Sequence, residues 1–246
     1  MFYEDNHLLV LYKPAGLIMQ RGPADKANLM DLAKVWIKAR YDKPGRVFAG
    51  MVHRLDGPVA GVVALARTSK AASRLSAQFR EGGITKTYLA VVQGRPPQTS
   101  GRLVHQLVRE GRLSRVAAPD RGQGQTASLT YRQVGGGENQ SLLEVTLETG
   151  RRHQIRAQLA AMGCPIRGDR SYGAREALPE GRIALLAVRL VLTHPTRGLA
   201  LTFESPWPRE WPWPYPDGEG QRPLWTLDAY RRHGLVLPER AAWEAL

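Results

Sequence analysis

Six consecutive residues, Gly61-Val62-Val63-Ala64-Leu65-Ala66, constrain this chain more than any other feature. The run is short and carries no polar alternation, the pattern of a strand covered on both faces. A sheet with layers on either side therefore has to be built from the rest of the chain. Leu8 to Tyr12 reads as a second strand, ended by the turn Lys13-Pro14-Ala15-Gly16. From Asn28, a candidate N-cap, Leu29, Leu32, Trp36 and Ile37 fall near one helical face, with Asp31 in the first turn. A second helix starts at Ser69 as its cap, carries Ala72, Leu75 and Phe79, and stops at Gly82-Gly83. Thr87 to Gln93, Ala127 to Arg132 and Leu142 to Glu148 read as strands. A third helix after Gly150 buries Ile155, Leu159 and Met162, and Gly163 follows its end. Ile183 to Thr193 and Leu199 to Phe203 read as a closing hairpin. The fold class is α+β.

The 246 residues carry a formal charge of +13. Basic composition by itself is a bland property, so clustering has to decide whether a polyanion is the partner. Arg102, Arg109, Arg112, Arg115 and Arg121 crowd one stretch with His105, against Glu110 and Asp120. Gly101, Gly111, Gly122 and Gly124 interrupt its period, which predicts a mobile, outward-facing hairpin or loop. Lysines and arginines that neutralise phosphates release condensed counterions, so nucleic acid is the expected polyanion. A single cysteine, Cys164, excludes an internal disulfide and a paired-thiolate zinc site. The six histidines show no metal-ligand spacing. No apolar run approaches the ~20 residues of a membrane span, and the opening residues lack the regions of a secretory signal. The expectation is a soluble, cytoplasmic monomer without a metal.

Beyond Ser205, five of the six tryptophans interleave with seven prolines, so this stretch forms no sheet. Its aromatics are expected to pack on the body of the protein. The division expected is therefore a domain over 1–207 and an extension over 208–246.

An acidic residue on a protein that binds a polyanion costs affinity unless it has another purpose. Asp56 sits in His53-Arg54-Leu55-Asp56-Gly57-Pro58, next to the buried strand. On these residues alone it reads either as a turn former bonded to its own backbone or as a carboxylate aimed outward from a rigid scaffold.

His53-Arg54-Leu55-Asp56, followed by Gly61 and then Thr68-Ser69-Lys70-Ala71-Ala72, resembles the catalytic motif of the RluA family of pseudouridine synthases. Three other segments agree in order. Glu4-Asp5 through Lys13-Pro14-Ala15-Gly16 is similar to the family's opening motif, and Lys86-Thr87-Tyr88-Leu89-Ala90-Val91-Val92-Gln93-Gly94 to its second. Gly150-Arg151-Arg152-His153-Gln154-Ile155-Arg156, continuing through Gly168-Asp169 to Tyr172-Gly173, resembles its third. The resemblance implies a mixed, mostly antiparallel sheet with flanking helices and a central catalytic cleft. It also implies a uridine-to-pseudouridine isomerase that uses neither metal nor organic cofactor. Asp56 is then the catalytic aspartate, Tyr88 the ring packed against the target uracil, and Arg156 the arginine paired with the aspartate. Arg54 enters the RNA where the target nucleotide leaves the stack. His53, Arg151, Arg152, Arg109, Arg112 and Arg115 are expected to contact RNA, a ribosomal or transfer RNA stem-loop.

Two departures bear on this reading. Val59-Ala60-Gly61 stands where the family has Thr-Ser-Gly, and Leu186-Ala187 where it often has His-Ala. An RNA-binding module that many relatives carry ahead of the catalytic domain is not expected here. The lost hydroxyls leave one alternative, a non-catalytic RNA-binding or ribosome-assembly factor that retains the fold.

Overall fold

A computed structural model describes residues 1–20, 27–118, 124–208 and 211–213. Its strands are β1 (Tyr3–Glu4), β2 (Leu8–Lys13), β3 (Gly50–Met51), β4 (Ala60–Ala66), β5 (Thr85–Gln93), β6 (Ser100–Glu110), β7 (Leu113–Val116), β8 (Gln125–Gly136), β9 (Gln140–Leu147), β10 (Leu185–Thr193) and β11 (Ala200–Glu204). Among the described residues three α-helices accompany them: α1 (Leu29–Arg40), α2 (Ser69–Glu81) and α3 (Gln154–Ala161). The strands form one sheet in the order β1-β2-β4-β10-β5-β9-β8-β6-β7, with β11 on β10 and β3 on β4. Every pairing is antiparallel except β4 with β10. The mixed, mostly antiparallel α+β sheet expected from the motifs is therefore present.

The all-apolar run lies where its composition demands. All seven residues of β4 are buried, between β2 and β10. At its start Gly61 adopts φ +131, and a Cβ there would collide with the main-chain oxygen of Ala187 on β10. Only glycine permits that close parallel pairing. Because β4 directly follows the Asp56 loop, a fully buried strand anchors the loop that carries the carboxylate.

One expectation is corrected, and one left open is decided. The cap of α2 is Thr68 and not Ser69: its side chain accepts the Ala71 N–H at 3.2 Å, and the backbone turns helical one residue later. Thr68→Ala is expected to cost about 1 kcal/mol, read as a melting temperature lowered by about 2–4 °C. In the basic stretch, expected as a hairpin or loop, the described residues form the hairpin. β6 and β7 form a regular hairpin around Gly111-Arg112, with Leu107 paired to Val116 and Glu110 to Leu113. The glycines are compatible with it: Gly101 sits inside β6, packed against the Tyr131 ring, while Gly111 supplies the positive φ of the turn. Arg121 lies outside the described residues.

The main core runs from α1 across β4, β5, β8 and β9 to α3, and Trp207, Trp211 and Trp213 pack against it. Trp225 and Trp243 lie outside the described residues.

Candidate active site

Asp56 stands on a turn whose main-chain bond runs from the Val59 N–H to the Asp56 carbonyl at 3.0 Å. The turn is therefore closed by backbone, and the carboxylate faces other side chains. A buried cation braces the loop. Lys13, fully buried, donates from Nζ to the carbonyls of Pro14 (3.0 Å), Leu17 (2.7 Å) and Gly57 (3.0 Å). Gly57 also accepts the Gly16 N–H at 2.8 Å. Burial pulls the Lys13 ammonium down to about 7 against the opposing attraction of Asp56. The opening motif thus holds the residue immediately after Asp56 in place.

Arg156 comes from the first turn of α3, a helix buried on all sides over Gln154 to Leu159. Gln154 and Gln158 tie it to the sheet by donating to Ser128 O (3.0 Å), Leu103 O (3.1 Å) and Ala127 O (3.2 Å). The expected partner of Arg156 was Asp56; its principal partner is Asp169. Nε and Nη2 of Arg156 bind the two Asp169 oxygens at 2.7 and 2.8 Å, leaving Nη1 3.4 Å from Asp56 Oδ2. Burial works against this guanidinium, yet the bonds and charge of Asp169, with Asp56 behind them, keep its pKa above the ordinary arginine range. Asp169 thus fixes the orientation of Arg156 and leaves its third nitrogen for the catalytic candidate.

His153 precedes α3 with a left-handed backbone, φ 53, and makes no side-chain cap. Its Nδ1 lies 2.8 Å from the Tyr172 hydroxyl and its Nε2 3.5 Å from Asp56 Oδ2. A non-glycine residue in that conformation costs about 1–3 kcal/mol and persists where the surroundings over-determine it. Here those surroundings are the Tyr172 bond and the edge-on packing of the two rings, 5.8 Å apart.

Tyr88 projects from β5 into the same space and is 8% exposed. Burial, followed by the Asp56 charge, raises its pKa, so the phenol stays protonated at neutral pH. Asp56, Tyr88 and Arg156 converge on one cleft of about 310 Å³, whose mouth is lined by Arg54, Arg151 and Arg152. Three carriers of chemistry and three exposed cations from distant segments share a single opening.

Not every expected residue is there. His53 is turned into the scaffold: its Nε2 accepts the Ala64 N–H at 2.9 Å and its ring stacks on Phe79 at 4.7 Å. Burial, then the nearby Lys86 charge, pulls its pKa down to about 3. A neutral, bonded ring of this kind supports β4. Arg109, Arg112 and Arg115 are exposed on the β6–β7 hairpin, away from the cleft lining. Arg115 pairs with Glu110 at 3.3 Å and Arg109 bonds the Gly111 carbonyl, so part of that charge is locally engaged. The hairpin is nevertheless fastened to the cleft rim, because Arg152 Nη2 donates to Arg112 O at 2.8 Å.

The two departures from the family pattern meet in the structure. Ala60 pairs directly with Leu186 across β4 and β10, and both are buried. Both side chains are apolar, so this contact holds no side-chain donor or acceptor that needs a partner. Val59, 3% exposed, lines the cleft beside Asp56.

The family model described as RNA pseudouridylate synthase matches residues 7–161. The chain is 33% identical over 219 residues to ribosomal large subunit pseudouridine synthase D of Zymomonas mobilis, covering 85% of this chain and 69% of that one. It is 37% identical over 204 residues to an uncharacterized RNA pseudouridine synthase of Chloroflexus aurantiacus, covering 80% of this chain and 62% of that one. In fold it is similar to human RNA pseudouridylate synthase domain containing 4, with a TM-score of 0.71 and 21% identity over 97% of this chain and 94% of that one. The chain belongs to the RNA pseudouridylate synthase family, as its motifs indicate. Its class is that of isomerases acting on RNA.

Proposed function

We propose that this protein converts specific uridines of structured RNA to pseudouridine, with Asp56 as the carboxylate that acts on the nucleoside. The convergence of Asp56, Arg156 and Tyr88 in one cleft with an arginine-lined mouth carries this reading. The reaction breaks the N1–C1′ bond, turns the uracil and rejoins it through C5, with no change in oxidation state. It needs an ionised carboxylate near the sugar and walls that retain the detached base. Arg156 brings its Nη1 within 3.4 Å of that carboxylate, and Tyr88, Val59 and Leu185 supply walls. With its hydroxyl protonated, Tyr88 serves as a stacking wall and hydrogen-bond donor instead of a phenolate base. Arg54 and Arg151 meet the phosphates that flank an extruded nucleotide. Ribosomal RNA is the first substrate to examine, because the Zymomonas relative carries that name. The catalytic unit ends near residue 207 and works in the cytoplasm. Pseudouridine mapping of total RNA with and without the gene tests the proposal: at least one site should disappear, and an unchanged map overturns it.

The basic hairpin gives a separate test. If Arg109, Arg112 and Arg115 each neutralise a phosphate, replacing all three by Ala should weaken RNA binding. The log–log salt dependence should flatten by about two to three units, at about 0.7–0.9 per contact. Turnover at saturating RNA should change less. An unchanged slope would assign the charge to composition.

A further inference from the structure

The Tyr172 hydroxyl has one proton and three neighbours. It receives the Ser114 N–H at 3.0 Å, lies 2.9 Å from the Ser114 carbonyl, and lies 2.8 Å from His153 Nδ1. Ser114 is 5% exposed and belongs to β7, the outermost strand, so those main-chain groups have no further strand to pair with. Placing the phenolic proton on Ser114 O, a group that can only accept, gives both the carbonyl and the phenol a partner. In that arrangement His153 Nδ1 bears its own hydrogen and donates it to Tyr172. In the neutral ring the other nitrogen, Nε2, carries a lone pair, and it is this nitrogen that faces Asp56 Oδ2 at 3.5 Å. Two acceptors therefore stand side by side at the cleft floor, with no proton between them.

We propose that His153 is a substrate-contacting residue of the reaction: its neutral Nε2 accepts a hydrogen bond from the ribose hydroxyl held against Asp56. This rests on the pseudouridine synthase reading above. The 2′-hydroxyl adjoins both carbons on which the carboxylate could act, and it is the donor that distinguishes RNA from DNA. Protonation reverses the role of the ring. Nε2–H then donates to Asp56, pairs with the carboxylate and removes the acceptor from the substrate. The groups facing the ring are Asp56 from the loop before β4, Arg152 from the segment before α3, Arg156 from its first turn, Asp169 from the loop beyond it, and Tyr172. Burial, Arg156 and Arg152 disfavour the imidazolium while Asp56 and Asp169 favour it, and the balance lies below the ordinary histidine value. The competent neutral form therefore dominates at physiological pH, and the enzyme loses it as the pH falls through that lowered value.

The test uses the full chain and transcripts of large-subunit ribosomal RNA labelled with 5-tritiated uridine, with tritium release read in single turnovers. The wild-type rate should show an inflection below pH ~6.5 and fall about tenfold per pH unit beneath it. His153→Gln, which cannot become cationic, should lose that limb, react about tenfold more slowly at pH 8, and bind RNA as before. Substituting 2′-deoxyuridine for the target uridine should slow the wild type much more than His153→Gln. A His153→Gln enzyme with the wild-type limb and the wild-type deoxy penalty overturns the inference. Nitrogen-15 NMR of the wild-type ring gives an answer that does not depend on any His153 variant folding. Neutral His153, identified as the ring whose titration moves in Asp56→Asn, should be protonated on Nδ1, and protonation on Nε2 overturns the inference. If the wild type releases no tritium from any transcript, the functional reading fails, whereas an active wild type with the wrong tautomer fails this inference alone.

Discussion

Asp56→Asn should abolish pseudouridine formation, lowering the single-turnover rate by more than about 10³-fold, while RNA binds as tightly as before or slightly better. The amide keeps the shape of the side chain and removes its charge. Little of the fold depends on that charge. Arg156 keeps both short bonds to Asp169, and the loop keeps the Lys13 bonds to Gly57, so the melting temperature should stay within a few degrees of wild type. On the proposed reading the cations at the mouth attract RNA, and a carboxylate among them repels phosphate. Filter binding and tritium release on the same transcripts separate the two effects. Loss of binding in step with activity would make Asp56 a structural residue, and an active variant would return it to the role of a turn former.

The sheet was legible where burial is complete. β4 announced itself because a strand covered on both faces has no polar residue to spare, and α1 because Asn28 caps it by accepting the Asp31 N–H. The β6–β7 segment stayed open between hairpin and loop because one face of β6 is solvent-exposed and its outward positions hold Arg102, Val104 and Gln106. Alternation survives there, with Leu103, His105 and Leu107 facing inward, but Gly101 and Gly111 obscure it.

The site was legible as a set of residues and not as a set of bonds. Motif order placed Asp56, Tyr88 and Arg156 together, yet nothing local reveals that Arg156 spends two of its three nitrogens on Asp169. Nor does sequence show that His53 faces inward while His153 faces the cleft; both follow basic or apolar residues, and tertiary packing alone distinguishes them. Lys13 gave one usable signal. A lysine closing an otherwise apolar strand is either a solvent-facing end or a buried brace, and the Pro14 and Gly16 that follow it bend the chain so that carbonyls turn back onto it. The pairing of Ala60 with Leu186 was out of reach of either segment read alone, since 126 positions separate them.

Asp169→Asn should be the most destabilising single change at the site. Asp169 is 1% exposed on its side chain and Arg156 8%, so the variant leaves a buried guanidinium facing an amide that offers one acceptor and a competing donor. Breaking a buried pair from one side costs about 3–5 kcal/mol. For a chain of this length that is a melting temperature lower by about 6–20 °C. Activity should also fall at temperatures where the variant remains folded, because the third nitrogen of Arg156 is aimed at Asp56 only while Asp169 holds the other two. A double variant separates these effects. Arg156→Met with Asp169→Leu removes both charges and keeps apolar volume, which for buried pairs is often neutral or stabilising. Its melting temperature should recover most of the loss, and its pseudouridine formation should not. Recovery of both would reduce Arg156 to scaffolding and leave Asp56 to act without its cation. Recovery of stability alone would establish that the pair is kept for the geometry and charge it gives Asp56, since the fold can do without it.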